Sequence, residues 1–224
     1  MSRTTINREE RIGTDRPSNA APAGDYAGGT RDRILSAARD LAVERGFGSF
    51  TVDKVAERAG VSRMTVYYQF GAKSQLLEAL LDWIAARGGI DGLRDAFQES
   101  DPIDALTRFI DVFCGFWASD RVGLRRLRGW MAAESDAEEP EAGRDAWRRD
   151  GLRALLTRLH ETHGVPSPGD LEETLDVLQV LTSFESYDRL ASGGRSRPEV
   201  VALLNRTALA VLGLNRGKRP GWRE

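Results

Sequence analysis

The clearest hydrophobic pattern in the chain lies in residues 51–70, where apolar positions recur at helical spacing on both sides of a glycine. Thr51 is a good N-cap, and the apolar residues after it share one helix face: Val52, Val55, Ala56 and Ala59. Gly60 permits a sharp left-handed turn, and Ser62 is placed to cap a second helix over residues 63–70. The pattern therefore predicts a helix-turn-helix.

The second helix of this motif has an unusual outer face. Val61, Val66 and Phe70 are predicted to point inward. Tyr67 then lies at the edge, and the outward-facing residues are Arg63, Met64, Thr65, Tyr68 and Gln69. Side chains of these types contact base edges and phosphates, whereas an ordinary surface helix carries more Glu and Lys. The face therefore favours a helix that reads DNA.

Beyond residue 71 the chain shows helical periodicity and no strand-like alternation of useful length. Helices are predicted over residues 72–87, from Pro102 past Trp117, and over 120–133, 142–163, 171–191 and 199–214. The helix that starts at Pro102 is apolar on two sides, because Phe109 and Phe116 add a second stripe to the first. It is therefore expected at the centre of a bundle.

Composition narrows the class of protein. The 224 residues are 41% hydrophobic, which is enough for a packed core, and no apolar run approaches the roughly 20 residues of a membrane span. The N-terminus lacks the apolar segment of a secretory signal, and the single Cys114 cannot form an internal disulfide. We therefore expect a cytoplasmic protein that does not bind membranes and needs no cofactor.

Charge is distributed unevenly along the chain. The net charge is −2, yet residues 30–75 carry eight basic and five acidic side chains, a local charge of +3. A basic module on an acidic body suits a protein that turns one end toward a duplex, although a local charge of +3 also arises by ordinary scatter.

Residues 30–77 resemble the N-terminal DNA-binding domain of the TetR family of transcriptional repressors. The resemblance covers about 48 of the 224 residues and starts with a first helix over residues 30–46. The positions that match the family pattern are Gly46, Phe50, Thr51, Val55, Ala56, Gly60, Val61, Ser62, Thr65, Tyr67, Phe70 and Lys73. Two positions depart from it: Ala72 stands where the family has a helix-capping residue, and Gln69 where it often has His or Tyr.

The resemblance and the periodicity together predict an all-α protein. An N-terminal three-helix helix-turn-helix domain over residues 30–75 is followed by a helical bundle for effector binding and dimerisation over residues 76–214. Residues 1–29, rich in Gly, Ala, Pro, Ser and Thr, are expected to form a flexible arm, and residues 215–224 a C-terminal tail.

The expected partner of the first domain is double-stranded DNA. The residues predicted to hold phosphates are Thr51, Ser62, Tyr67 and Lys73. The residues predicted to reach bases are Arg63, Met64, Thr65 and Tyr68. The resemblance implies a homodimer on a palindromic operator, formed through the last two predicted helices, which carry more apolar surface than one core needs.

A small-molecule effector is the second expected partner, since the family's bundle domain usually binds an apolar or amphipathic ligand. The aromatic residues that such a site would use are Phe109, Phe113, Trp117, Trp130, Trp147, Phe184 and Tyr187. For each of them singly, a place in the helical core is the simpler interpretation. Repression, with release by the effector, rests on the family's usual behaviour.

Other classes of function stay open. One is a helical metal- or small-molecule-dependent enzyme whose helix-turn-helix is purely structural, and the other is a ligand-independent regulator or an activator. His160 and His163 could ligate a metal, but no HExxH motif or recognisable third ligand accompanies them, so no metal site is predicted. Cys114 lies in an apolar helix, where a thiol is usually inert, and no catalytic residue is predicted.

Overall fold

The computed structural model describes residues 29–45, 50–131, 138–166 and 170–214. These residues form eleven α-helices and one 3-10 turn and contain no strand, so the all-α prediction is confirmed. The helices are α1 (Thr30–Arg45), α2 (Val52–Ala59), α3 (Arg63–Phe70), α4 (Lys73–Arg87), α5 (Leu93–Gln98), α6 (Pro102–Ser119), α7 (Arg121–Met131), α8 (Glu138–His163), α9 (Leu171–Leu181), α10 (Phe184–Ser192) and α11 (Arg197–Val211). The predicted tail and all but one residue of the predicted arm lie outside the described residues.

Helices α1, α2 and α3 pack into a small N-terminal head. Its core consists of apolar side chains that the hydrophobic pattern places on facing helix sides: Ile34, Leu35, Ala38, Leu41, Phe50, Val52, Val55, Ala56, Val66 and Phe70. Helix α4 contacts α1 and α3 at this head and also packs against α6 in the bundle. It is therefore the covalent connection between the two parts of the molecule.

Helix α6 is the central element of the bundle, as its two apolar stripes predict. It contacts α4, α5, α7, α8, α10 and α11. Asp101 caps its N-terminus by accepting a 2.7 Å hydrogen bond from the Ile103 amide, and Pro102 occupies the first turn.

The prediction of one helix over residues 171–191 is wrong, because the chain breaks between α9 and α10. The Trp117 indole donates a 3.0 Å hydrogen bond to the Thr182 carbonyl, which a continuous helix would need for the Ser186 amide. That amide instead donates to the Ser183 hydroxyl at 3.2 Å, so Ser183 becomes the N-cap of α10. Hydroxyl capping and a buried tryptophan together end α9.

Two other predicted helices have different bounds. Helix α8 begins at Glu138 rather than at residue 142, and α11 spans Arg197–Val211 rather than residues 199–214. The predicted end of the helix over residues 120–133 lies outside the described residues. Helix α5, over Leu93–Gln98, was not predicted, and it packs its buried Leu93 and Ala96 beside α6. No helix among the described residues is both long enough and apolar enough to cross a bilayer.

Polar contacts join the head to the bundle where α1 meets α7. The Asp120 carboxylate accepts hydrogen bonds from Nε and Nη2 of Arg39, each at 2.8 Å, and from the Gly123 amide at 3.1 Å. Asp120 therefore caps α7 and holds α1 at the same time. A Cβ on residue 123 would lie 2.7 Å from the carboxyl carbon of Asp120, so a larger residue there would displace the carboxylate.

The far side of α7 is tied to α10 by a second set of charges. Arg121 and Arg125 both donate to the Asp188 carboxylate, at 2.6 to 3.0 Å. Asp188 has a lowered pKa because these hydrogen bonds and charges outweigh the opposing effect of its burial. One carboxylate thus fixes two arginines of α7 against the helix that carries Phe184.

Candidate nucleic-acid interface

The turn between α2 and α3 is held by caps that the sequence specifies. Gly60 adopts φ 65° and ψ 37°, the left-handed region, and the Val61 amide returns to the Ala56 carbonyl at 3.0 Å. Thr51 accepts the Lys54 amide at 3.3 Å, and Ser62 accepts the Thr65 amide at 3.0 Å. Both predicted caps are confirmed, and the hydroxyls of Thr51 and Ser62 are exposed at the start of their helices.

The outer side of α3 is open to solvent within the part of the chain that the structure describes. Met64 is 72% exposed and Tyr68 is 88% exposed, while Val66 and Phe70 are buried beneath them. Met64 and Tyr68 lie four residues apart on α3, so they share one exposed side of the helix. This side of α3 can therefore enter a groove without rearrangement of its own core.

Arg63 is held in a fixed setting at the first turn of α3. Its Nη1 donates to the Asp53 carboxylate of α2 at 3.2 Å, and its Nη2 donates to the Tyr67 hydroxyl at 3.2 Å. The guanidinium also lies 5.3 Å from the centre of the Tyr67 ring. The Tyr67 hydrogen bond and the Asp53 charge raise the pKa of Arg63 above its ordinary value.

Not all predicted contact residues are equally accessible. Thr65 is half-buried, and its hydroxyl hydrogen-bonds the Ser62 hydroxyl at 2.8 Å. Lys73, also half-buried, is the first residue of α4. Ala72 gives no side-chain cap, as expected, and the Gln75 side chain substitutes by accepting the Ala72 amide at 3.1 Å.

Two residues that hold the orientation of α3 are not indicated by the sequence pattern. Asp53 is the partner of Arg63 described above, and Arg31 of α1 donates to the Gln69 carbonyl at 2.9 Å. The Arg31 guanidinium also lies 4.4 Å from the centre of the Phe70 ring. Both contacts join different helices, so no spacing rule within one helix indicates them.

Much of the basic charge in the head is already paired. Arg58 of α2 donates to both oxygens of Glu44, at 2.7 and 2.5 Å, and Arg39 contacts Asp40 as well as Asp120. Part of the basic charge predicted from composition is therefore engaged in ion pairs.

Four of the predicted effector residues form one aromatic cluster in the bundle. Ring centres lie 4.8 Å apart for Phe109 and Phe113, 5.9 Å for Phe113 and Trp117, and 5.7 Å for Trp117 and Phe184. All four rings and Tyr187 are buried. The side chain of Trp130 lies outside the described residues.

Trp147 of α8 is the exception, because it is only half-buried while its ring centre lies 6.4 Å from that of Phe113. Next to it Arg148 is buried, 5.8 Å from the Phe113 ring, and pairs with Asp145 at 3.1 Å. The edge of the cluster at α8 thus combines an accessible indole with a charged pair.

A groove of about 760 Å³ opens elsewhere, along α11 beside α6. Its lining residues are Asp111, Arg197, Pro198, Val201, Ala202, Asn205, Arg206, Leu209 and Leu214. None of the predicted effector residues with a described side chain lines this groove. Arg197 and Asp111 form an ion pair at its side, 2.8 Å apart.

The remaining chemical candidates are Cys114 and the two histidines. Burial raises the pKa of Cys114 to about 12, so its thiol stays protonated near neutral pH and is a poor nucleophile. His160 hydrogen-bonds the Pro166 carbonyl through Nδ1 at 2.8 Å. Among the described residues, no three His, Cys, Asp or Glu side chains are grouped as metal ligands would be.

Comparison with known proteins agrees with this geometry. The family pattern described as bacterial regulatory proteins, tetR family, matches residues 34–80, which include the helix-turn-helix and the first half of α4. The HTH-type transcriptional regulator YdeS of Bacillus subtilis is 51% identical over 151 residues, 66% of this chain and 71% of that protein. EthR of Mycolicibacterium smegmatis is 29% identical over 173 residues, 74% of this chain and 73% of that protein.

The chain belongs to the TetR family of DNA-binding transcriptional regulators. Solved structures share its fold. A TetR-family regulator from Rhodococcus superposes with a TM-score of 0.67 and 24% identity, over 82% of this chain and 98% of that one. FadR of Bacillus subtilis, solved with stearoyl-CoA, has a TM-score of 0.66 and 18% identity over 82% of this chain and 98% of that one.

Proposed function

We propose that the protein is a ligand-responsive repressor that binds a palindromic operator as a homodimer and is released by a small-molecule effector. The exposed outer side of α3, with Met64 and Tyr68 projecting from a buried core, carries the DNA-binding part of this proposal. Binding of a duplex from the region flanking its own gene, measured by fluorescence anisotropy at two salt concentrations, tests it. Equal affinity for that duplex and an unrelated one would contradict an operator there.

Contacts to phosphate and to bases divide among the residues of the head. We assign phosphate contacts to Thr51, Ser62, Tyr67 and Lys73, because helix starts, a tyrosine hydroxyl and a cation all suit phosphate oxygens. Arg63, Met64, Thr65 and Tyr68 are assigned to base edges. Arginine fits guanine, and the methyl groups of Met64 and Thr65 fit the thymine methyl.

Arg63→Ala and Lys73→Ala are expected to fail in different ways. Arg63→Ala should reduce discrimination between operator and mismatched duplex roughly tenfold, because a bidentate base contact is lost. Lys73→Ala should weaken binding to all duplexes about equally and reduce the slope of log affinity against log salt by about 1. Anisotropy titrations across a salt series measure both, and identical behaviour of the two variants would contradict the division.

Dimerisation is proposed to use the outer faces of α9 and α11. Val177 and Val180 of α9 and Val211 of α11 are exposed, although their helices supply many core residues. An isologous pairing of these faces would bury such residues and set the two α3 helices about one DNA turn, roughly 34 Å, apart.

Val180→Arg should convert the dimer to a monomer. Val180 is 63% exposed, so a charge there leaves the fold of one subunit intact but cannot be desolvated in an apolar interface. Sedimentation should give half the mass, with weaker operator binding and an intact helical spectrum. Val122→Arg on α7, also at an exposed valine, is the matched control and should stay dimeric; monomers from both variants would contradict this interface.

An effector is proposed to bind at the α8 edge of the aromatic cluster. The buried residues Phe109, Phe113, Trp117, Phe184 and Tyr187 would form the floor of this site, and Trp147 its accessible side. Trp130 stays a predicted effector residue. The FadR structure holds stearoyl-CoA, an amphipathic ligand, in a protein of the same fold. A hundredfold loss of operator affinity requires about 2.7 kcal/mol of coupling, which one well-packed ligand can supply.

A thermal-shift screen of apolar and amphipathic compounds tests the effector site. A compound that raises the Tm should also release the operator, because it binds one state of the dimer better than the other. Trp147→Ala should abolish the Tm shift. A compound that stabilises the protein but leaves operator affinity unchanged would contradict its role as an effector.

Activation is a second candidate for the same DNA-binding head. FasR of Mycolicibacterium smegmatis, 30% identical over 124 residues, is named a transcriptional activator. A reporter gene behind the protein's own flanking DNA distinguishes the two, since expression falls on adding a repressor and rises on adding an activator.

A further inference from the structure

We propose that Asp53 is a specificity-determining residue, which positions Arg63 for a guanine in the operator without touching DNA itself. The inference rests on the proposed assignment of Arg63 to a base edge. It starts from two contacts: Arg63 Nη1 to the Asp53 carboxylate and Nη2 to the Tyr67 hydroxyl, both 3.2 Å. These residues belong to α2 and α3, so the guanidinium is fixed relative to both helices of the motif.

The arrangement leaves the donors that guanine recognition needs. A guanidinium has five N–H groups, and the contacts to Asp53 and Tyr67 use two of them. Three N–H groups remain, and a bidentate contact to guanine O6 and N7 requires two. Arg63 stays 57% exposed in this setting, so its free edge is accessible to a duplex.

Fixing the guanidinium before binding favours the correct base. A free arginine loses rotamer freedom when it docks, and it can also swing toward a phosphate or a neighbouring base. The Tyr67 ring under the guanidinium and the Asp53 carboxylate at its edge restrict both alternatives. Discrimination between bases therefore depends on Asp53, although Asp53 makes no base contact.

The charge of Asp53 works against general affinity for DNA. Asp53 is 62% exposed in the first turn of α2, on the same motif that approaches the phosphates. A carboxylate there repels the backbone and lowers binding to every sequence. Asp53 should thus lower overall affinity and raise specificity, two effects of opposite direction that an experiment can separate.

The test compares five forms of the full chain: wild type, Asp53→Asn, Asp53→Glu, Arg63→Ala and Glu57→Gln. Glu57 is another exposed acid of α2, with no recorded contact to Arg63, so its variant removes the same charge and serves as the matched control. Each form selects sites from a random duplex library, and anisotropy then measures binding to the wild-type consensus and to an unrelated duplex. Thermal melting verifies that each variant is folded.

Asp53→Asn should bind the unrelated duplex more tightly than wild type, yet lose about fivefold or more of its guanine preference at one position of each half-site. Arg63→Ala should lose preference at the same position. Glu57→Gln should gain general affinity and keep the guanine preference. Asp53→Glu should restore part of the preference, since a longer carboxylate still reaches the guanidinium.

Three results would overturn the inference. If Arg63→Ala loses the guanine but Asp53→Asn keeps it, Asp53 forms only an ordinary surface ion pair and the assignment of Arg63 stands. If neither variant changes the preference, Arg63 reads no base, and the proposed division of contacts fails with the inference. A uniform loss of affinity in Asp53→Asn, with every preference retained, would show a structural role and would also overturn it.

Discussion

Phe109→Ala is expected to lower the free energy of unfolding by about 3 to 5 kcal/mol, the range for removing a fully buried aromatic side chain. Phe109 is buried in α6 and lies between Phe97, 6.0 Å away, and Phe113. A Cβ on Gly151 of α8 would come within 3.1 Å of its ring, so the packing is close on that side as well. Urea unfolding followed by circular dichroism measures the change.

Phe97→Ala is the control, because it deletes the same side chain from an exposed position on the same cluster. Phe97 is 37% exposed and Phe109 is 1% exposed, so in proportion to its burial Phe97→Ala should cost roughly two thirds as much. A loss below about 1.5 kcal/mol for Phe109→Ala would mean that its ring already faces open space. The inner cluster would then be a preformed cavity, and the proposed effector site would extend inward from Trp147.

Asp120→Ala is expected to destabilise the protein by about 3 kcal/mol, because one carboxylate performs two tasks. About 1 kcal/mol comes from the lost N-cap of α7. The remainder comes from Arg39, which loses two charge-assisted hydrogen bonds in a partly buried site where the Asp120 side chain is 12% exposed. Arg39 retains Asp40, which limits the loss. Thermal and urea unfolding measure it.

Asp101→Ala isolates the capping contribution, since Asp101 caps α6 without an ion pair to the head among the described contacts. It should cost about 1 kcal/mol. Gly123→Ala keeps every charge but forces the Asp120 carboxylate aside, so it should approach the loss of Asp120→Ala. Equal losses for Asp101→Ala and Asp120→Ala would show that the pair with Arg39 adds nothing.

Local rules predicted the helix-turn-helix well because its determinants are close together in the sequence. Thr51, Gly60 and Ser62 act within a few residues of themselves, and each adopts the predicted conformation. The break after α9 depends on the Trp117 indole, which lies 65 residues away from the Thr182 carbonyl it binds. Periodicity continues through the break, and only the hydroxyls of Thr182 and Ser183 indicate it locally.

The predicted contact residues follow from the spacing within one helix, whereas the residues that were missed make contacts between helices. Outward positions on α3 follow from helical spacing, so Met64 and Tyr68 were predicted from their own helix. Asp53 and Arg31 act across helix boundaries, and the Arg39–Asp120 pair spans 81 residues. Contacts of this kind depend on how helices pack, which a single sequence does not specify.

The Arg39–Asp120 pair is a second connection between the head and the bundle, besides the backbone of α4. A head held only by α4 would tilt by continuous small increments. With the Arg39–Asp120 pair intact, tilting of the head must move α7 as well, and α10 with it through Asp188. Otherwise the ion pair must break. Reorientation of the head should therefore be a two-state transition, with intermediate orientations sparsely populated.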